Sequence, residues 1–377
     1  MARVSKSKAA KFNSFTLKKL QNAIENDPEV DLAKLLPLRY STRLESMRGD
    51  TGSKTTIPAK AAPGDDDDIR ASLRASDPIN IIFPLCEPVL KILRKMSNDP
   101  FSTTCELPQR LIDLTYASDV VWKGPFARQK MVFKCGHDIV LKAVRDLEDY
   151  TEYTTLQYIR QHLPKFPSPE PLGLVRMSEI SLIFMTHLPS TTLSDVWSSM
   201  TVSQKSSIKG QLGTLLMDLR SLPYPSGAPL GGVQGEGCKD IRRHLRRSNE
   251  PITVLSDFED FLLNSPHSRG NVFAELIRQL SPPTQPPSSP AIVFTHGDLR
   301  PDNIMVDMAN DEEWTVTGLI DWEYSGFYPE YYEAVKYTNC LAPYEENDWF
   351  LFAPDCISPK SYAHWWLLDR VRETRFV

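Results

Sequence analysis

The stretch Ala291-Ile292-Val293-Phe294-Thr295-His296-Gly297-Asp298-Leu299-Arg300-Pro301-Asp302-Asn303-Ile304-Met305-Val306 decides the fold. It opens as a buried-type apolar strand at Ala291 to Phe294. It breaks at a polar turn, His296 to Asn303, and returns to strand texture at Ile304. A second strand, about Trp314 to Ile320, delivers Asp321-Trp322-Glu323. Two polar clusters thus stand at the ends of short strands suited to pair as a hairpin. That arrangement predicts that Asp298, Asn303 and Asp321 converge on one small volume.

This set suits phosphoryl transfer, a reaction that asks a protein to position groups and neutralise charge more than to do covalent work. Asp298 is the candidate to orient an attacking hydroxyl and accept its proton. Asn303 and Asp321 are candidate ligands for Mg²⁺, which takes hard oxygens and needs few protein groups beside phosphates and water. An Asp followed five residues later by an Asn is the kinase catalytic-loop spacing, and Asp321 follows after one hairpin as a metal-binding Asp. His296 joins Asp298 as a candidate catalytic residue. Its expected part is to order the loop by bonding backbone near Asp321, not to act as the base. Trp322 reads as packing and Glu323 as support for the metal-site loop. No Ala-Pro-Glu follows Asp321, which argues against a protein kinase.

His296-Gly297-Asp298-Leu299 with Asn303, and Ile320-Asp321-Trp322-Glu323, resemble the aminoglycoside phosphotransferase (APH) family and the choline-kinase-like enzymes grouped with it. Gly326-Phe327-Tyr328-Pro329-Glu330-Tyr331-Tyr332-Glu333 is similar to the family's fungal branch. The resemblance runs over residues 115–345. It implies an α+β, bilobal protein-kinase-like fold. A small β-rich N-lobe with a leading helix would occupy 76–188, and a larger, mainly helical C-lobe 189–377. It also implies ATP, Mg²⁺ and a small-molecule hydroxyl acceptor. Sugar, aminoglycoside, choline-like amine and secondary metabolite all stay open as acceptors.

The same resemblance implies an N-lobe strand lysine paired to a glutamate on the next helix. Lys142, in Val140-Leu141-Lys142-Ala143-Val144, and Glu152 fill those places, with Glu148 as the alternative. The lysine would hold the α- and β-phosphates while the glutamate fixes its direction. Met185, His187 and Leu188 resemble the hinge whose backbone would bond adenine. Residues 119–131 contain Gly124 but no G-x-G-x-x-G, so the phosphate-covering residues stay unassigned.

Outward from this centre, Lys130–Lys134 and Asp138–Val144 read as strands joined at Cys135-Gly136-His137. A helix is expected from about Arg145 to His162, stopped by Pro164. Thr201-Val202-Ser203-Gln204 fits a capping box opening a helix with Ile208, Leu212, Leu215, Leu216 and Leu219 on one face. Gly227 to Gly237 matches neither phosphate-binding glycine signature and reads as a surface loop. Ser281 to Pro290 reads as a polar linker. Residues 1–75 read as a poorly ordered tail, with Asp65-Asp66-Asp67-Asp68 as a spacer.

Of 377 residues, 41% are hydrophobic and 24% charged, the balance of an ordinary globular chain. A net charge of −5 gives no electrostatic case for nucleic acid as a partner. The six cysteines form no Cys-x-x-Cys pair and read as reduced thiols of a cytoplasmic protein. No apolar run is long enough to span a membrane. Arg3, Lys6, Lys8, Lys11, Lys18 and Lys19 precede the first acidic residue, Glu25. They read as a solvated basic tail, with a mitochondrial presequence as the alternative. The rival function is a catalytically silent, pseudokinase-like binding module. Retention of Lys142, Asp298, Asn303 and Asp321 favours activity over it. Oligomeric state is not written in the sequence.

Overall fold

The computed structural model describes residues 12–13, 16–18, 20–21, 23, 27–28, 30–35, 68–96, 107–126, 128–145, 148–241, 245–263, 271–280, 290–309, 313–339, 341–342 and 345–373. The chain divides into two units, residues 1–63 and 64–377. Among its described residues the first unit holds a 3₁₀ turn, Leu32–Leu35. The basic run (apart from Lys18), Asp65 to Asp67 and nearly all of the 281–290 linker lie outside the described residues.

Residues 68–75, expected as tail, belong to the packed second unit. Asp68 caps a 3₁₀ turn, Ile69–Ser72, by accepting the Arg70 N–H. Ile69 and Leu73 are buried, and the Ile69 N–H meets Met131 Sδ at 3.4 Å. Two apolar side chains seated against a sheet outweigh the polar sequence around them.

That sheet has six antiparallel strands in the order β1-β5-β6-β4-β3-β2. They are β1 (Ile79–Phe83), β2 (Asp119–Lys123), β3 (Lys130–Cys135), β4 (Ile139–Arg145), β5 (Pro171–Met177) and β6 (Ile180–Thr186). Helices α1 (Glu87–Lys95) and α2 (Leu107–Ala117) precede β2, and α3 (Thr151–His162) follows β4. Strand alternation sorts β4 between two faces. Ile139, Leu141 and Ala143 enter the core shared with α1 and α2, while Lys142 between them turns towards α3. The helix expected from Arg145 begins at Thr151 because β4 runs on to Arg145. Glu148, at φ 62°, then holds a left-handed conformation that no helix continues through.

The second lobe opens with β7 (Thr191–Thr192), α4 (Leu193–Val196) and α5 (Val202–Arg220). Thr201 and Gln204 form the expected capping box, and Ile208, Leu212, Leu216 and Leu219 form the buried face of α5. There follow β8 (Lys239–Ile241), β9 (Leu245–Arg247), α6 (Leu255–Leu263), α7 (Asn271–Leu280), β10 (Ile292–Thr295), β11 (Ile304–Ala309), β12 (Glu313–Leu319), β13 (Gly326–Pro329), α8 (Tyr332–Tyr337) and α9 (Ala363–Glu373). The whole is the expected α+β bilobal, kinase-like fold.

The glycine-rich segment is a surface loop only in part: Gly227, Gln234 and Gly235 are exposed, while Gly231, Gly232 and Gly237 are buried. Gly231 exchanges two backbone hydrogen bonds with Phe327, at 2.8 and 2.9 Å. A Cβ on Gly231, at φ +101°, would lie 2.1 Å from the Gly237 carbonyl oxygen. The glycines let two backbones cross where no side chain fits. Cys86, Cys135, Cys238 and Cys356 are unpaired thiols, as expected. Among the described residues no helix is long and apolar enough to cross a membrane.

Candidate active site

The expected hairpin is β11 against β12, in antiparallel register from Ile304↔Leu319 to Ala309↔Glu313. The Ile320 N–H donates to the Asn303 carbonyl at 3.0 Å, extending the ladder by one rung. This register brings Asn303 and Asp321 to the same open end. Strand β10 pairs with β13, so the His296 to Asn303 loop is held between two sheets.

Gly297 makes the turn. It sits at φ +83°, and a Cβ there would lie 2.5 Å from the Tyr324 carbonyl oxygen. Beneath it, the buried Glu333 accepts the N–H groups of His296 at 2.6 Å and Gly297 at 3.2 Å. His296 is fully buried, its ring 4.5 Å from that of Trp322. Its Nε2 meets the Ile320 carbonyl at 3.1 Å and its Nδ1 the Asp298 N–H at 3.3 Å. Burial pushes its pKa down to about 4, so the ring is neutral. Although grouped with Asp298 as a candidate catalytic residue, His296 does not reach the cleft. It orders the loop through backbone near Asp321, the part expected of it, because both nitrogens serve main chain.

Asp298 is fixed by Asn303, whose Nδ2 donates to its Oδ2 and to its carbonyl, each at 2.9 Å. Arg300 Nε stands 3.3 Å from the same Oδ2. Burial raises the Asp298 pKa to about 6, against the pull of Arg300. A carboxylate poised there is charged at neutral pH yet basic enough to take a proton.

On the facing lobe Lys142 Nζ lies 2.6 Å from Glu152 Oε2 and 2.6 Å from Asp321 Oδ1. Glu152, not Glu148, is therefore its partner. Burial works against the ammonium, but Asp321 and Glu152 together raise its pKa well above the usual value. Burial likewise opposes the Asp321 carboxylate, and Lys142 and Lys130 overcome it and hold its pKa far below the ordinary range. Asp321 sits at φ 66°, in the left-handed region that few residues other than glycine enter.

Two further residues complete the cluster. Lys130 Nζ, on β3, bonds Glu323 Oε2 at 2.5 Å, and Lys142 lies 3.6 Å from that oxygen. Carboxylate oxygens of Glu152, Asp321 and Glu323 lie within 4.8 Å of one another. The donor set fits a hard divalent cation. Asp321 and Glu323 supply carboxylates, and the bonds made by Asn303 Nδ2 turn its Oδ1 away from Asp298.

Of the hinge residues, Met185 is buried in the ladder, paired with Val140 and Pro171. The His187 N–H donates to the Asp138 carbonyl at 2.8 Å, so it is taken up by the sheet and not offered to a ligand. Leu188 follows the strand end and packs on Gly318 of β12.

Sequence reasoning missed the support beneath these groups. In the sequence Glu333 stands out only as the end of the Gly326 to Glu333 stretch that resembles the family. Its signal is an acid that closes the largely aromatic run Phe327 to Tyr332, but Glu330 inside that run is part-exposed, so the letters alone do not tell the buried acceptor from its neighbour. Asp348, which the sequence reading does not single out, is tied to Lys205 at 2.8 Å. Lys239, described below, carried no signal.

A two-lobed fold with a lysine–glutamate pair facing an Asp–Asn loop and a hairpin-borne Asp defines a kinase-like phosphotransferase. Residues 126–350 match the family described as Phosphotransferase enzyme family (APH), and the chain belongs to that family. Among solved structures it is similar to a thermostable mutant of aminoglycoside phosphotransferase APH(4)-Ia in ternary complex with AMP-PNP and hygromycin B. Identity is 14% and the TM-score 0.45, covering 77% of this chain and 89% of that one. It is also similar to the streptomycin-ATP-APH(2")-IIa ternary complex, with identity 13% and TM-score 0.44, covering 78% of this chain and 86% of that one. The comparison with curated proteins found no match.

Proposed function

We propose that this phosphotransferase moves the γ-phosphoryl group of ATP, with Mg²⁺, to a hydroxyl of a small molecule. The observation that carries the reading is the placing of Asp298. It is locked by Asn303 in the loop that leads into the hairpin, whose other end aims Asp321 at Lys142.

Asp298 accepts the proton of the acceptor hydroxyl as that oxygen bonds the γ-phosphorus. The bond from the γ-phosphorus to the bridging oxygen breaks, and ADP departs with its electron pair. Lys142, steered by Glu152, holds the α- and β-phosphates. Leu188, just after the strand end, is the hinge residue whose backbone would meet adenine, with Met185 and His187 held in the sheet. Asp321 and Asn303 would hold Mg²⁺, which would supply neutralisation of the phosphate charge when bound. Glu323 stands near enough to join them once Lys130 turns to phosphate.

Thermal unfolding with and without Mg-ATP tests this reading, alongside Asp321→Ala. Ligand at 100 times Kd stabilises by about 2.7 kcal/mol, and each kcal/mol is roughly 2–4 °C for a domain of this size. A Mg-dependent rise in Tm, lost in the variant, supports the nucleotide site and justifies screening acceptor alcohols. No shift at millimolar Mg-ATP favours the silent binding module.

A further inference from the structure

Lys239 lies outside every motif named above, on the short strand β8 of the second lobe. Its side chain is 1% exposed. The ammonium is surrounded by four oxygens. It meets Asp149 Oδ1 and Oδ2 at 2.8 and 2.6 Å, Thr151 Oγ1 at 2.7 Å and the Glu323 carbonyl at 2.6 Å. These partners come from two places in the fold. Asp149 and Thr151 form the start of α3, and Glu323 follows the metal-site Asp321 by two residues. The backbone of Lys239 is held as firmly. Its N–H donates to the Tyr328 hydroxyl at 3.1 Å, and the Tyr332 hydroxyl donates to its carbonyl at 2.7 Å.

We infer that Lys239 is a positioning residue. It ties the first turn of α3, and with it Glu152, to the loop that carries Asp321. One residue after Thr151 stands Glu152, and Glu152 sets the direction of Lys142. Burying an ammonium is costly unless its donors are all used. Nothing in the packing of a three-residue strand demands a cation there. Three donors on one nitrogen, shared among a carboxylate, a hydroxyl and a carbonyl, fix the distance between two elements in a way that a methyl group does not. Asp149 is held from a second side by Arg247 at 2.8 Å, and Glu236 of the glycine-rich segment accepts the Thr154 hydroxyl one turn further along α3. The segment between α5 and α6 thus grips the helix that bears Glu152 at three places.

This inference rests on the kinase reading above. Its test is the Kd of Mg-ATP, measured by titration calorimetry on the full chain, for the wild type, Glu152→Gln, Lys239→Met and the double variant. If Lys239 acts through Glu152, each single change weakens binding about tenfold, worth about 1.4 kcal/mol, and the double variant stays near tenfold. A double variant weakened by the product of the two shows independent effects and overturns the inference. An unchanged Kd in Lys239→Met, with only Tm lowered, reduces Lys239 to a structural part and overturns it too. Asp149→Asn approaches the same tether from the other side. It is expected to weaken Mg-ATP by a similar factor, and it carries the test if Lys239→Met does not fold. Wild-type protein that binds no Mg-ATP defeats the kinase reading itself and this inference with it. Wild-type binding with insensitive variants defeats the tether alone.

Discussion

Asn303 Nδ2 donates to Asp298 Oδ2 at 2.9 Å, and the same nitrogen bonds the Asp298 carbonyl at 2.9 Å. One amide thereby fixes both the backbone and the carboxylate of the residue expected to take the proton. General-base catalysis is worth about 10²–10⁴-fold, so Asp298→Asn should cut kcat by that order. Mg-ATP affinity should stay within about twofold of wild type. Removing a buried charge should leave Tm at pH 7 equal or higher. A variant that loses turnover and folding together would make Asp298 a structural residue.

The active form of Asp298 is its carboxylate, and burial raises its pKa to about 6. The rate profile should therefore be flat above pH 7 and fall about tenfold per unit well below pH 6. His296 contributes nothing to this limb, being neutral down to about 4. A profile flat to pH 5 would mean that Asp298 does not carry the proton.

Glu333 sets a pH dependence of stability. Burial raises its pKa from 4.5 to about 7, against the two N–H groups it accepts. Below pH 4.5 the carboxyl is protonated in folded and unfolded chains alike, and its contribution is fully present. As pH rises to about 7 the unfolded chain ionises first, so stability declines, by up to about 3 kcal/mol at 1.36 kcal/mol per unit. Glu333→Gln should flatten this component of Tm against pH between 4.5 and 7. An identical slope in both proteins would contradict the burial argument.

Lys142→Met should leave Glu152, Asp321 and Glu323 facing one another with one cation fewer. Breaking a buried pair costs about 3–5 kcal/mol, less here because Asp321 is 22% exposed. Tm should fall at pH 7 and recover in part at pH 5. Millimolar Mg²⁺ without nucleotide should raise the variant's Tm more than the wild type's. Equal metal responses would count against a carboxylate cluster open to a cation.

Gly297→Ala adds a methyl 2.5 Å from the Tyr324 carbonyl in a left-handed turn. The strain is of order 1–3 kcal/mol. Because the displaced loop carries Asp298, kcat should drop with it. Unchanged kcat in a destabilised protein would show that the loop adjusts elsewhere.

What the sequence made legible was local. The β11–β12 hairpin, the Asp298–Asn303 spacing and the strand of Lys142 each lie within one period or one turn. Their geometry follows from alternation and turn chemistry. Lys239 was invisible because its partners stand 84 to 90 positions away in the chain. The glycine-rich segment looked like a surface loop for the same reason. Only the crossing of Gly231 with Gly237 and Phe327 shows that its buried glycines are there for close packing. Glu148 and Glu152 are told apart by the 2.6 Å contact of Glu152 with Lys142, and the start of the helix at Thr151 follows a backbone angle at Glu148 that no pattern in the letters announces.

The left-handed backbone of Asp321 limits which letters position 321 can hold. Glycine, asparagine and aspartate adopt that conformation at low cost, and of these aspartate alone carries a full negative charge, the one the proposed cation would need. A gene copy drifting away from catalysis has an easy path there, to asparagine or glycine, with the fold left whole. Under the proposed function, an asparagine or glycine at position 321 would keep the fold and lose the charge offered to the cation.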